Sequence, residues 1–264
     1  MSTETKGTAL VTGASSGIGE LYAERLADRG YDLILAARRV DRLESVAKKI
    51  HDRTGRKVEV LRADLSDRAD IAAVERRLAE DASITLLVNN AGISLDGSLL
   101  ENGSENLERI VTVNILAPTL LTGAAAKAFV ARDKGGIINI ASVLAFAPEA
   151  FDGVYSGSKA HLLNLSLSLA AKLPTKNVRV QAVLPGATRS EIWEKSGKDV
   201  DALLPGMVMD THDLVDAALL GYDRGEVVTI PPLQDENQYK AYEYSRLVMG
   251  PNLSRKDVAP RYRG

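Results

Sequence analysis

Short apolar runs alternate along this chain with longer segments of helical periodicity, and that alternation most narrows what it can fold into. The runs Thr8–Val11, Asp32–Ala36, Lys57–Leu61, Leu86–Val88, Gly136–Ile140, Val178–Val183 and Val227–Ile230 read as strands buried in a parallel sheet. Between them Gly19–Arg29, Asp41–Arg53, Arg68–Asp81, Glu105–Ala131, Val154–Leu173 and Thr211–Tyr222 carry apolar residues three and four apart, as amphipathic helices do. A strand followed by a helix and a second strand returns parallel, through a right-handed crossover. Repetition of that unit predicts an α/β fold: a doubly wound, seven-stranded parallel sheet with helices on both faces. At 264 residues there is room for one such domain, expected over 1–264, and two would be cramped.

Charged residues make up 26% of the chain and the net charge is -2, so no basic stripe marks it for nucleic acid. With no cysteine, disulfides, thiolate nucleophiles and cysteine-based zinc sites are excluded; no metal site is expected, and the three histidines, His51, His161 and His212, are scattered. The polar start, Met1 to Lys6, lacks the pattern of a secretory signal, and no apolar run is expected to span a bilayer. Cytoplasmic residence is the expectation.

Thr12-Gly13-Ala14-Ser15-Ser16-Gly17-Ile18-Gly19 joins the first strand to the first helix. Glycines there let the backbone turn sharply and approach a pyrophosphate, while the helix N-terminus offers unpaired N–H groups. Further along the chain stand Tyr155 and Lys159. A phenol with a pKa of about 10 is a poor acid or base near neutrality, and a cation four residues on, on the same helix face, favours its phenolate. Ser142 lies just beyond the strand Gly136–Ile140, at the carboxyl edge where open α/β sheets bind ligands. Asn89-Asn90-Ala91-Gly92 ends the fourth strand, and Asn114 interrupts a long helical segment in which asparagine is a mediocre helix former.

Taken in order, the Gly-x-x-x-Gly-x-Gly turn, Asn89-Asn90-Ala91-Gly92, Asn114, Ser142 and the Tyr155/Lys159 pair resemble the short-chain dehydrogenase/reductase family, in its short single-domain group. The resemblance runs from about Lys6 to Ile230 and implies a Rossmann-type fold, a nicotinamide cofactor and hydride transfer. It implies that Tyr155 is the general acid/base, that Ser142 orients the substrate oxygen, and that Lys159 lowers the tyrosine pKa and holds the nicotinamide ribose. It further implies that Asn114 holds a water leading to the lysine. Gly13, Ser15, Ser16, Gly17, Ile18 and Gly19 would line the pyrophosphate, with Asn90, Ala91 and Gly92 on the adenosine side. Asp64, with Leu65, matches an acid that bonds the adenine amino group, with a helix N-cap region as the competing reading. Pro185 and Gly186 match the motif beside the nicotinamide; Thr188 contacts the carboxamide or caps a short Glu191–Lys195 helix. At the end of the second strand NAD enzymes of this kind place an acid against the ribose 2′-hydroxyl, where this chain has Ala37 followed by Arg38 and Arg39. Guanidinium groups suit a 2′-phosphate, so NADP(H) is expected over NAD(H), although position 16, often basic in such enzymes, is serine.

The stretch from Thr188 to Asp210, with Trp193, Met207, Val208 and Met209, is long for a connection and reads as a substrate lid. With Leu144, Phe146 and Phe151 it suggests an apolar pocket for an uncharged, lipophilic carbonyl or alcohol. His161 points away from the lysine face, as a packing or interface residue. A tail follows Ile230 over 231–264. The resemblance also implies a homodimer or homotetramer through the helices near 105–131 and 154–173. Three other readings are an NAD-dependent alcohol dehydrogenase of the same family, a non-catalytic NADP(H) sensor, which would ordinarily lose the tyrosine or lysine, and a sugar-nucleotide epimerase or dehydratase, which usually carries a different glycine spacing and a longer substrate domain.

Overall fold

The computed structural model describes residues 5–97, 99–175, 177–189 and 204–263. Seven strands form where the apolar runs place them: β1 (Thr8–Thr12), β2 (Asp32–Ala37), β3 (Val58–Arg62), β4 (Ile84–Asn89), β5 (Gly135–Ile140), β6 (Val178–Val183) and β7 (Val228–Thr229). Every pairing is parallel, in the order β3-β2-β1-β4-β5-β6-β7. The chain winds outward from β1 to β3 and then crosses back to β4, so the direction of winding reverses between β1 and β4. Ligands bind at the carboxyl ends of the strands flanking such a reversal.

The helices are α1 (Gly17–Asp28), α2 (Val40–Thr54), α3 (Arg68–Glu80), α4 (Ser104–Val111), α5 (Ala117–Ala131), α6 (Gly153–Lys172), α7 (Thr211–Asp223) and α8 (Glu236–Met249). Alternate strand residues face opposite cores. Ala9 and Val11 of β1 pack with Leu33, Leu35 and the apolar faces of α1, α2 and α7. Leu10 and Ile34 pack on the other side with α3 and α5. Full burial of each leucine or isoleucine contributes roughly 1.5–3 kcal/mol, so both faces must be covered for the strands to be stable. Asp67, Asp152 and Asp210 accept backbone N–H bonds at the starts of α3, α6 and α7, each worth about 1 kcal/mol.

Glu105–Ala131 is not the single α-helix expected. It divides into α4 and α5 around a π-helical turn, Thr112–Leu116, with Asn114 in its middle. One extra residue in a turn releases backbone groups from the regular ladder, and such turns are common at functional sites. The expectation of no bilayer-length apolar run is also corrected: the 28 residues Ser104–Ala131 are long and apolar enough to cross a membrane. Half of the qualifying window is buried inside the protein, where Leu121, Ala125 and Phe129 contribute to the core beside α3.

The chain divides into two compact units, Met1–Pro231 and Pro232–Gly264. In the second, the tail contains α8, capped by Asp235, with Tyr239 stacked on Tyr242 at 6.3 Å and Lys240 and Arg246 paired to Glu236 and Glu243.

Candidate active site

The glycine turn closes against the end of β4. Gly13 has φ +67°, a region that favours glycine, and a Cβ there would lie 2.8 Å from Asn90 Nδ2 and 2.9 Å from Ala91 Cα. A Cβ on Gly19 would stand 2.3 Å from Gly13 O and 2.4 Å from Asn90 Nδ2. These contacts let Asn90 Nδ2 donate to Thr12 O at 3.0 Å and Gly13 O at 3.3 Å. Thr12 Oγ1 accepts from Asn90 N and Ala91 N and donates to Val88 O. Thr12, which the motif includes but sequence reasoning gave no role, therefore clips β1 to β4 beneath the turn.

Ser16 is the N-cap residue of α1 and makes no side-chain cap bond. The hydroxyls of Ser15 and Ser16 instead accept from Arg39 Nη2, at 3.0 and 3.1 Å. The two arginines thus serve different places. Arg39 lies across the glycine turn and bonds the serine that stands at position 16. Arg38 is exposed and lies, with Arg109, close enough to Asp64 to act on its charge. Burial raises the Asp64 pKa, but hydrogen bonds from Ser66 N and Oγ and these two cations outweigh it, and the carboxyl is held below its ordinary value. The helix-cap reading of Asp64 is corrected: Asp67 caps α3, and Asp64 forms a turn with Ser66. Leu65 is buried in the core.

Asn114 pins the backbone that follows Asn90-Ala91-Gly92. Its Oδ1 accepts from Ile93 N at 2.9 Å and its Nδ2 donates to Ile93 O at 2.8 Å. Nδ2 also donates to Ser158 Oγ at 3.1 Å, and Ser158 Oγ donates to Tyr155 O at 2.6 Å. Ser158, a buried serine that sequence reasoning passed over, joins the π turn to the first turn of α6. A serine three before His161 carries no signal of such a role; only its position beside Lys159 could have drawn attention to it.

Asp152 caps α6 by accepting from Val154 N and Tyr155 N, which fixes the turn carrying the tyrosine. Tyr155 is half-buried, with Phe151 edge-on to its ring at 5.5 Å. Lys159 is 4% exposed; its Nζ donates to Ile140 O at 3.0 Å and lies 5.5 Å from the centre of the Tyr155 ring. The expectation that the ammonium lowers the phenol pKa is not met in the chain alone. Burial pushes Tyr155 up to about 12 and pulls Lys159 down to about 8, each toward its neutral form. A Cβ on Gly92 would lie 3.3 Å from Lys159 Nζ and 3.5 Å from Asn114 Oδ1, so this glycine keeps open the space beside both groups.

Ser142, 7% exposed, follows β5 and caps a single 3-10 turn, Val143–Ala145, by accepting from Leu144 N at 3.1 Å. Val143 N donates to Pro185 O, which ties this turn to the Pro185-Gly186 segment after β6. Thr188 Oγ1 donates back to Gly186 O at 3.0 Å, and Thr188 bridges Met209. Both ends of the long stretch are held there, through Met209 N to Ala187 O and Arg189 N to Met209 O. Trp193 and the Glu191–Lys195 helix reading lie outside the described residues. Leu144 and Phe146 are partly buried, and Phe151 (42%) and Met207 (70%) are exposed. His161 bonds Thr119 on α5 at 2.7 Å, a packing role.

The residues present fit a dinucleotide. A turn whose close approach a Cβ would block, two serines held by a guanidinium, and an open space between Lys159 and Asn114 run along the carboxyl ends of β1, β4 and β5. Comparison with known proteins agrees with this geometry. The family model of short chain dehydrogenases matches residues 7–201. Nodulation protein G of Rhizobium sp. (strain N33) is 35% identical over 198 residues, 74% of this chain and 79% of its own. A short-chain dehydrogenase from Sphingobium yanoikuyae, solved in complex with NADPH, superposes with a TM-score of 0.93 at 47% identity, covering 97% of this chain and 100% of that one. A bulky-bulky ketone specific alcohol dehydrogenase from Comamonas testosteroni gives 0.90 at 41% identity, covering 99% of this chain and 100% of that one.

Proposed function

This chain belongs to the short-chain dehydrogenase/reductase family, oxidoreductases that interconvert C=O and CH–OH groups with a nicotinamide dinucleotide, and we propose that it reduces uncharged ketones with bulky apolar substituents, using NADPH in preference to NADH. The observation that carries the reading is the meeting of Tyr155 and Lys159 on α6 with the end of β5, where Lys159 Nζ reaches Ile140 O two residues before Ser142. Cofactor preference is supported by Arg39 on Ser15 and Ser16, and by the NADPH complex of the Sphingobium neighbour. Substrate bulk is supported by the ketone specificity of the Comamonas neighbour and by the apolar side chains Leu144, Phe146, Phe151, Met207, Val208 and Met209.

Gly13, Ser15, Ser16, Gly17, Ile18 and Gly19 would hold the pyrophosphate, Arg38 and Arg39 the 2′-phosphate, Asp64 the adenine, and Lys159 the nicotinamide ribose, with Pro185, Gly186 and Thr188 beside the ring. The bound cofactor supplies or accepts the hydride. Tyr155 gives its proton to the carbonyl oxygen; with a pKa of about 12 it carries that proton throughout the neutral range, which suits reduction. Ser142 donates to the same oxygen as charge develops there. Lys159, largely ammonium below about 8, holds positive charge beside the phenol as its proton departs, and Asn114 keeps the path to it in place. We also place the protein in the cytoplasm as a homodimer or homotetramer through α4, α5 and α6; light scattering at micromolar concentration gives a multiple of the monomer mass.

The test follows NADPH consumption over a panel of ketones graded from one to two bulky substituents, repeated with NADH. Faster turnover of the bulkier ketones and a preference for NADPH are expected; turnover only of small or charged carbonyls, or a preference for NADH, overturns the corresponding part.

A further inference from the structure

Below the active site, four buried polar side chains form one directed chain of hydrogen bonds. Ser166 Oγ donates to Leu162 O at 2.7 Å and accepts from Asn139 Nδ2 at 2.9 Å. Asn139 Oδ1 accepts from Asn89 Nδ2 at 2.9 Å and from Thr122 Oγ1 at 3.4 Å, and Asn89 Nδ2 also donates to Thr122 Oγ1 at 3.0 Å. Asn89, Asn139, Thr122 and Ser166 are 3%, 0%, 1% and 0% exposed. The acceptor role of Asn139 Oδ1 fixes its amide orientation, and that aims Nδ2 at Ser166. Apolar side chains of similar size would fill this region without desolvation cost, so what the polar chain adds is a single relative placement of the elements it joins.

Those elements carry the active site. Asn89 precedes Asn90-Ala91-Gly92; Asn139 is followed by Ile140 and Ser142; Ser166 lies two turns beyond Lys159 on α6. In the described structure α6 is tied to β5 by two side-chain bonds, Lys159 Nζ to Ile140 O and Asn139 Nδ2 to Ser166 Oγ. A ribose hydroxyl that takes up Lys159 competes with the first for the ammonium's N–H donors, whereas the second touches neither substrate nor cofactor. We infer that Asn139 and Ser166 are positioning residues, whose bond holds α6 along β5 and so keeps Tyr155 in place against Ser142 while Lys159 changes partner. This rests on the reductase reading above.

The variant is Ser166→Ala, with Ser166→Thr retaining the hydroxyl. In the alanine variant kcat falls on the order of tenfold, since misplacement by a fraction of an ångström is costly to an oriented reaction. KM for NADPH stays unchanged, and the isotope effect on kcat with NADPH deuterated at the transferred position rises as hydride transfer becomes limiting; Ser166→Thr restores both. An alanine variant that loses only thermal stability, with kcat and isotope effect of the parent, makes the bond purely structural and overturns the inference. If the parent turns over no ketone the reductase reading itself fails, and hydrogen exchange then decides on NADPH-bound protein. Faster exchange in Ser166→Ala at Val154–Lys159 alone supports the tether, and unchanged exchange there refutes it.

Discussion

Replacing Lys159 by methionine removes a charge from a place where burial resists it, and the effect on stability has a defined dependence on pH. Lys159 is 4% exposed and its pKa falls from 10.5 to about 8. In the unfolded chain the group returns to its ordinary value. Below about 8 the amine is protonated in both states, and the folded state bears the full cost of the buried ammonium. Between about 8 and 10.5 the unfolded state binds more protons than the folded one, so stability rises with pH through that window. The shift corresponds to about 3 kcal/mol, from which the lost bond to Ile140 O subtracts about 1 kcal/mol, leaving a net gain near 2 kcal/mol for methionine at pH 7. Methionine is nearly isosteric, so packing contributes little to the comparison. Urea unfolding of both proteins at pH 7 and pH 10.5, without cofactor, reads the two midpoints. The variant is the more stable at pH 7 and the difference disappears or reverses by pH 10.5. A variant less stable at pH 7, or an advantage that grows with pH, refutes the reasoning about burial.

Arg39→Ala removes the guanidinium across Ser15 and Ser16, and because a charge-assisted bond contributes about 1.5–3 kcal/mol, NADPH affinity by calorimetry falls roughly 10- to 150-fold while NADH affinity barely changes. An equal loss for both cofactors assigns Arg39 to fold and not to the 2′-phosphate. Gly19→Ala improves helix propensity by about 1 kcal/mol, yet its Cβ meets Gly13 O at 2.3 Å, so the turn must move. Weaker binding of both dinucleotides is expected by calorimetry, and unchanged binding would show that the turn has room to yield. Ser158→Ala strands one buried Asn114 N–H and lowers thermal stability by about 1–3 kcal/mol; a variant as stable as the parent removes Ser158 from the link between the π turn and α6.

The seven strands were legible because a parallel strand covered on both faces shows its burial as a local apolar run, as in Leu33, Leu35 and Ile34 of β2. The glycine turn and the Tyr155/Lys159 pair were legible because their chemistry fixes their spacing. The π turn around Asn114 was not, since a single extra residue barely disturbs helical periodicity. Helix α8 was not, because Tyr239, Tyr242 and Tyr244 among charged residues form no clear apolar stripe. The division between Arg38 and Arg39 could not be read either: both are cations after a strand, and only the backbone path decides which one reaches Ser15 and Ser16. The same holds for Asn139 and Ser166, whose partnership depends on the packing of α6 against β5.

The most direct measurement compares Tyr155→Phe with the parent in NADPH binding by calorimetry and in ketone reduction under saturating cofactor. The variant keeps the ring against Phe151 and loses only the phenolic proton. Near-normal NADPH affinity with turnover reduced by at least a hundredfold is predicted, within the range that a general acid supplies. Full turnover in Tyr155→Phe would contradict the assignment of the acid and, with it, the proposed chemistry of the site.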